Sequence, residues 1–331
     1  MKAAVLKGIH QPVVVEEVSV PEINANEVLV AVKAAALNHR DVWIQKGQYA
    51  GLKFPIILGS DGAGVVYQIG SEVKNVQIGQ EVIINPSWYW GDNPKVQAKT
   101  YKILGLPDNG TFAEFVKVPA EFVYPKPEHL SFTQAAVYPL AGLTAYRATL
   151  TRAGVQANEN VLVTGIGGGV AFFAMQFAIA QGANVYVTSS DEQKIQKAIE
   201  LGAKGGFNYK QPDWDKTAVQ QTGGFDAIID GAAGDSFVKL IEVAKPAGRI
   251  VFYGGTAGNI HNVLPAKVFW KQLTIMGSTM GNTTEFEAML NMIQKHALTP
   301  LISHEFELND IQKAFETMDK GGQFGKIVVR I

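Results

Sequence analysis

Between the apolar strand Asn160–Val163 and the apolar helical run Val170–Gln181 stands Thr164-Gly165-Ile166-Gly167-Gly168-Gly169. A strand, a glycine turn and a helix in direct succession leave few folds open. Glycines let the backbone turn sharply and approach a ligand closely, and a helix N-terminus presents unpaired N–H groups and the positive end of its dipole. The same alternation continues downstream. The strand Asn184–Thr188 precedes the helix Asp191–Leu201, the strand Phe225–Asp230 precedes the helix Ser236–Ala244, and Arg249–Phe252 and Leu273–Met276 read as further strands. These strands are almost wholly apolar, as expected when helices cover both faces of a parallel sheet. The expected fold is therefore α/β, with a doubly wound parallel sheet whose glycine turn seats a pyrophosphate. A glycine cluster alone marks only a tight turn; its place inside a βαβ unit favours binding.

The first third of the chain has a different texture. Val13–Val20, Glu27–Ala34, Gly64–Ile69, Glu81–Ile84 and Phe112–Val118 are short, rich in valine and isoleucine, and separated by glycine, proline and asparagine. This pattern predicts a β-rich domain, a partly open barrel or sandwich. Residues 87–109 have little periodicity and read as a long excursion loop. The aromatic residues Trp88, Tyr89 and Trp90 in it either stack on a flat ligand or simply pack. Amphipathic helices near Glu285–His296 and Asp310–Asp319 and a strand Lys326–Ile331 close the sequence. A length of 331 residues accommodates two such domains at about 150 residues each.

Composition removes several chemistries. The chain has no cysteine, which excludes disulfides, thiolate zinc sites, iron–sulfur clusters and a cysteine nucleophile. The net charge of −1 offers nothing to nucleic acid or an anionic membrane. No apolar run approaches the roughly 20 residues of a membrane span, and the N-terminus lacks a secretory pattern. A cytoplasmic location is expected.

The tip of the second strand of the βαβ series reads the adenosine ribose of a bound dinucleotide. Here it is Val187-Thr188-Ser189-Ser190-Asp191, with Lys194 one turn on. Hydroxyls with a cation suit a 2′-phosphate and favour NADP(H) over NAD. Two other assignments stay open: Asp191 as the ribose acceptor, and Ser190 with Gln193 as a capping box.

Further motifs carry a resemblance. They are Ala36-Leu37-Asn38-His39-Arg40-Asp41, Gly59-Ser60-Asp61-Gly62-Ala63-Gly64, Gly79-Gln80-Glu81-Val82, Gly110-Thr111-Phe112-Ala113-Glu114-Phe115, Ala141-Gly142-Leu143-Thr144, Leu201-Gly202-Ala203 and Gly325-Lys326-Ile327-Val328. With the glycine turn, in this order, they make the whole chain resemble a medium-chain dehydrogenase/reductase of the zinc-independent, quinone oxidoreductase-like branch. The resemblance implies a discontinuous GroES-like catalytic domain, residues 1–129 and 277–331, and a Rossmann NADP-binding domain, residues 130–276. It also implies a homodimer or homotetramer, with the strand near Leu273–Met276 pairing with its copy.

The zinc question follows from the same matches. In zinc-dependent members a cysteine stands at the position of Asn38, a His-Glu pair at Ser60 and Asp61, and a third ligand at Leu140. Zinc takes thiolate, imidazole or carboxylate ligands, which Asn38, Ser60 and Leu140 do not offer. No metal is expected. His39 and His129 read as ordinary hydrogen-bonded side chains. Hydride addition to a quinone or an α,β-unsaturated carbonyl spreads the new charge over the acceptor, so alignment and a few donors suffice.

The resemblance puts Asn38 and Tyr49 at the nicotinamide end of the catalytic cleft as the candidate catalytic pair. Asn38 otherwise reads as a turn residue and Tyr49 as a loop aromatic. Gly167, Gly168, Gly169 and Val170 match the pyrophosphate turn. Ser189, Ser190 and Lys194 match the adenosine phosphate site, and Tyr209 the adenine side. Thr144 matches the nicotinamide ribose, Tyr253 and Gly254 a strand tip, Gly277 and Ser278 the carboxamide, and Lys326 a basic residue near the phosphates. Tyr209 and Tyr253 otherwise read as packing residues and Gly277 as a turn. The expected activity is a zinc-independent, NADPH-dependent reduction of a small quinone or enone. Alcohol dehydrogenase or aldehyde reductase chemistry and a non-catalytic NADPH sensor are the alternatives.

Overall fold

In a computed structural model that describes residues 1–331, the chain forms two units: Met1–Leu143 with Gly281–Ile331, and Thr144–Met280. Both joints fall further along the chain than the sequence places them. The first lies inside the helix Pro139–Tyr146, so no break in the helix marks it.

The Thr144–Met280 unit holds a six-stranded sheet. Its spatial order is Gly205–Asn208, Asn184–Ser189, Asn160–Val163, Phe225–Asp230, Ala244–Phe252, Thr274–Gly277, and all neighbours are parallel. This is the 3-2-1-4-5-6 order of a dinucleotide-binding sheet. The strand Gly205–Asn208 and the helix Trp214–Thr222 add to the elements read from sequence. The helix Gly169–Ala180 buries Ala171, Phe172, Phe173, Ala174, Met175, Phe177 and Ala178. Apolar on nearly every side, it is a core helix rather than a surface one. Lys271 lies beneath the helix Phe237–Val243 and donates to Ile241 O, Glu242 O and Ala244 O, closing its carbonyl end.

The other unit is β-rich. A small antiparallel sheet runs Val13–Glu17, Lys2–Leu6, Ile56–Ile57. The larger sheet runs Val123–Pro125, Glu81–Ile84, Asp61–Ile69, Glu27–Ala36, Lys326–Arg330, Ile302–Glu307, and Phe115–Pro119 also pairs with Glu27–Ala36. The strand Lys2–Leu6 escapes sequence reading because four of its five residues are buried, which erases the polar–apolar alternation. Residues 87–109 fold on themselves. Ser87–Trp88 pairs with Lys102–Ile103, Trp88 stacks on Phe122 at 5.7 Å, and Trp90 meets Tyr101 edge-on at 5.3 Å. Both tryptophans are only 4% exposed. The two tryptophans therefore pack, whereas Tyr89, edge-on to Phe122, is 40% exposed.

Candidate functional site

In the β-rich unit, three strands end together. The central strand Glu27–Ala36 pairs with Asp61 opposite Ala36 on one side and with Val328 opposite Ala36 on the other. Continuing the antiparallel register two residues past Ala36 brings Asn38 level with Lys326. The side chains complete the meeting. The Lys326 ammonium donates to Leu37 O at 2.7 Å, Asn38 Oδ1 at 2.7 Å and Asp61 Oδ2 at 2.9 Å. Asn38 Nδ2 donates to the same Asp61 oxygen at 2.9 Å, and Leu140 N donates to Asp61 Oδ1 at 2.7 Å. Lys326 is 3% exposed and Asp61 fully buried.

An ammonium has three N–H donors, and all three are committed here. None remains for a cofactor phosphate, so the phosphate role expected of Lys326 gives way to a positioning role beside Asn38. Asp61, absent from the candidate residues read from sequence, is the hub. The available signal was the pair of motifs containing Asp61 and Lys326, but nothing local joins them.

A second cluster adjoins Asn38 along the chain. Arg40 Nη1 donates to Ser60 Oγ at 2.6 Å and Leu104 O at 2.9 Å. Its guanidinium lies 5.1 Å from the centre of the Tyr49 ring, with Nε 3.4 Å from the Tyr49 hydroxyl. Ser60 Oγ also donates to Leu104 O at 2.7 Å, tying the base of the excursion loop to the cluster. Gly59 makes the turn before Ser60, at φ +96°, and a Cβ there would lie 2.6 Å from Thr111 Oγ1. Asp41 accepts from Asn38 N at 2.8 Å, while its other oxygen is buried without a partner. Burial above all pushes the Asp41 carboxyl up to about 6, against the opposing pull of Arg40 and the bond from Asn38 N.

These residues do not fit zinc. The matched positions carry Asn38, Ser60 and Leu140, Asp61 is held by Lys326, and no group of three His, Asp or Glu side chains gathers anywhere in the chain. His129 Nε2 lies 3.0 Å from Leu298 O, and His39 lies beside Trp43.

In the parallel-sheet unit, most of the expected cofactor residues lie at the carboxyl ends of the strands. The glycine turn is pinned to the neighbouring strand by Ile166 N donating to Thr188 O at 2.8 Å and Gly165 N to Thr188 Oγ1 at 3.2 Å. Ile166, the departure from an all-small turn, is buried and anchors it. Gly165 and Gly167 have φ of +65° and +132°. Gly168 caps the helix Gly169–Ala180 with no side chain, and a Cβ at Gly168 would meet nothing within 4 Å. An open cradle of glycine backbone at an uncapped helix start fits a pyrophosphate.

Ser189 is buried and its hydroxyl accepts from Asp191 N at 3.2 Å; Tyr209 N donates to Ser189 O at 3.1 Å. These bonds gather Ser189, Ser190 and Tyr209 at one corner of the sheet, and Lys194 follows in the helix Glu192–Glu200. The cap of that helix is Asp191, which accepts from Gln193 N at 2.8 Å, and not Ser190.

At the next strand tips, Thr164 donates to Asp230 Oδ1, and Asp230 Oδ2 accepts from Ala233 N at 2.7 Å. Burial raises the Asp230 carboxyl, and these hydrogen bonds counter it. Tyr253 packs its hydroxyl on Gly231, where a Cβ would lie 2.6 Å from it, and a Cβ on Gly254 would lie 2.7 Å from Gly231 O. Burial pushes the Tyr253 hydroxyl up. Thr144 is buried and donates to Met280 Sδ at 3.6 Å. Gly277 O accepts from Arg152 Nε at 3.2 Å, and Ser278 Oγ is enclosed without a hydrogen bond.

Comparison with known proteins agrees with this architecture. Residues 24–128 match the alcohol dehydrogenase GroES-like domain and residues 169–295 the zinc-binding dehydrogenase domain. The chain is 36% identical over 343 residues to the zinc-type alcohol dehydrogenase-like protein YogA of Leptosphaeria maculans, covering 98% of this chain and 96% of that one. The crystal structure of an NAD-dependent alcohol dehydrogenase superposes with a TM-score of 0.95 at 35% identity, over 100% of both chains. The 2-octenoyl-CoA carboxylase reductase CinF, solved with NADP and 2-octenoyl-CoA, superposes with a TM-score of 0.86 at 27% identity, over 96% of this chain and 82% of that one. The fold and its two sites define a two-domain oxidoreductase that uses a nicotinamide cofactor. The chain belongs to the medium-chain dehydrogenase/reductase family. No helix in it is long and apolar enough to cross a membrane.

Proposed function

We propose that this chain is a zinc-independent, NADPH-dependent reductase of conjugated carbonyl compounds, quinones or enones. The observation that carries the reading is the Lys326–Asn38–Asp61 cluster. At the positions where zinc ligands would stand, the chain has built a closed hydrogen-bonded set around an ammonium. Without a metal to hold an alkoxide, an acceptor that spreads its own charge is the easier substrate. The relative solved with NADP and 2-octenoyl-CoA, a conjugated thioester, supports the same choice.

When bound, the reduced nicotinamide supplies a hydride. The chain's residues do the rest. Gly167, Gly168, Gly169 and Val170 receive the pyrophosphate, and Ser189, Ser190 and Lys194 receive the adenosine 2′-phosphate, with Tyr209 on the adenine side. Thr144, Tyr253, Gly254, Gly277 and Ser278 line the nicotinamide half. Asn38 keeps one amide N–H for the acceptor, since its carbonyl and other N–H are held by Lys326 and Asp61. The Tyr49 hydroxyl, which accepts from Arg40, retains its own proton to donate.

The test is NADPH and NADH oxidation by chelator-treated protein, with a para-quinone, an ortho-quinone, an alkenal and a simple aldehyde. Turnover of the conjugated acceptors with NADPH, unaffected by chelation, is expected. Lys194→Ala is expected to raise KM for NADPH and leave that for NADH unchanged. Activity confined to simple alcohols and aldehydes, or abolished by chelation, rejects the reading. Alcohol dehydrogenation with NAD is the second reading, favoured by the 35%-identical NAD-dependent alcohol dehydrogenase.

The oligomer belongs to the same proposal. The last strand of the parallel sheet, Thr274–Gly277, is open on one edge, and Leu264, Phe269, Trp270 and Ile275 near it are exposed. An unpaired edge beside exposed aromatics suits pairing with a second copy across a two-fold axis.

A further inference from the structure

The β-rich unit buries two cations, Lys326 and Arg40. Lys326 is matched by Asp61. Arg40 is buried too, and no carboxylate forms an ion pair with it. Buried charges are normally paired or hold a ligand. The nearest acid in sequence, Asp41, makes no ion pair with it: one Asp41 oxygen accepts from Asn38 N and the other is buried without a partner.

The free donor capacity of Arg40 lies on one nitrogen. A guanidinium carries five N–H donors. Both on Nη1 are used, by Ser60 Oγ and Leu104 O, and Nε reaches the Tyr49 hydroxyl. Nη2 has no partner in the protein, and it is not among the polar atoms sealed from solvent without one. The guanidinium is meanwhile fixed in place by Ser60, Leu104 and the Tyr49 ring. An immobilised donor pair left without a protein partner requires no reorganisation when negative charge arrives.

We propose that Arg40 Nη2 is the anion-holding donor of this site, and that it binds an anionic oxygen of the acceptor. This inference rests on the reductase reading and adds a substrate requirement to it. Two sources give that oxygen. In one, the acceptor carbonyl becomes the anion. A hydride, with its two electrons, forms a new C–H bond at the β-carbon, the C=C π pair moves to the Cα–carbonyl bond, and the C=O π pair moves onto oxygen against Arg40. A proton from the Tyr49 hydroxyl or water then reaches the enolate, and the oxidised nicotinamide is the other product. In the second, the acceptor already carries a carboxylate and Arg40 anchors it. Tyr49 lies under the same guanidinium, so the anion and the proton donor are adjacent in either case.

The experiment compares wild type, Arg40→Met and Arg40→Lys with a neutral alkenal and with a 4-oxo-2-alkenoate, each with reduced nicotinamide, beside thermal midpoints with and without butyrate. A fall in kcat of about 100-fold on the neutral acceptor, with KM within threefold, identifies the oxyanion as the source. A KM raised tenfold or more for the alkenoate alone identifies the carboxylate. Either result supports the proposal. Kinetic constants within twofold of wild type on both acceptors overturn it, whatever the change in midpoint, because that is what a purely structural Arg40 predicts. If wild type reduces neither acceptor, the reductase reading fails while Arg40 is still tested: butyrate raises the midpoint of wild type and not of Arg40→Met, and no difference between them overturns the proposal. Should Arg40→Met not fold, Arg40→Lys, which keeps the charge but has no second terminal nitrogen, is expected to lose kcat or KM in the same direction.

Discussion

Lys326 Nζ and Asp61 Oδ2 sit 2.9 Å apart in a fully enclosed pair, although 265 positions separate the two residues in the chain. The pair sets the geometry around Asn38, because both partners hydrogen-bond its amide. Lys326→Met leaves the Asp61 carboxylate buried and unmatched, and is expected to cost about 3–5 kcal/mol of unfolding free energy. Combining it with Asp61→Asn removes the stranded charge and recovers most of that loss in denaturant melts. A double variant no more stable than Lys326→Met would reject the charge as the cause.

Gly168 separates folding from cofactor binding. Its backbone lies in the ordinary extended region, φ −75°, with no atom near the position of a Cβ. Gly168→Ala is therefore expected to change stability by less than about 1 kcal/mol. The added methyl occupies the cradle, so the Kd for NADPH, measured by fluorescence titration, should rise at least tenfold. Gly165→Ala, at φ +65°, is expected to lose stability as well.

Asp41 makes stability depend on pH. Its carboxyl is raised from 3.8 to about 6 in the fold, so between those values the unfolded chain releases a proton that the folded chain keeps. The contribution is fully present below 3.8 and is lost as pH rises through 6. Relative to Asp41→Asn, wild type should lose up to about 3 kcal/mol between pH 4 and pH 7. Parallel melting curves for the two proteins across that range would rule this out.

The open edge of the parallel sheet gives an oligomer test. Trp270 is 79% exposed and Ile275 lies on the unpaired strand. Trp270→Glu with Ile275→Lys is expected to shift the sedimentation mass to that of the monomer while leaving NADPH affinity unchanged. An unaltered oligomer mass would move the interface elsewhere.

The parallel sheet was legible in the sequence because its information is local. Val161 to Val163, the glycines that follow and the buried helix after them each report their own conformation through apolar runs and turn residues, and βα alternation makes the sheet parallel. Asn38 and Tyr49 were legible as candidates through the family resemblance. Their surroundings were not. Which strand ends meet is set by ladder register: Ala36 is opposite Asp61 on one side and Val328 on the other. Period-two patterning shows which face a residue takes but carries no record of its partner strand. The same limit hid Arg40, whose role depends on the Leu104 carbonyl 64 positions away, and the unit boundary between Leu143 and Thr144, where one helix runs through the joint. Local chemistry in the sequence determined most elements of the parallel sheet and its glycine turn. Only the tertiary structure decided which buried charges face each other, because pairing is settled by packing free energy summed over the whole sheet.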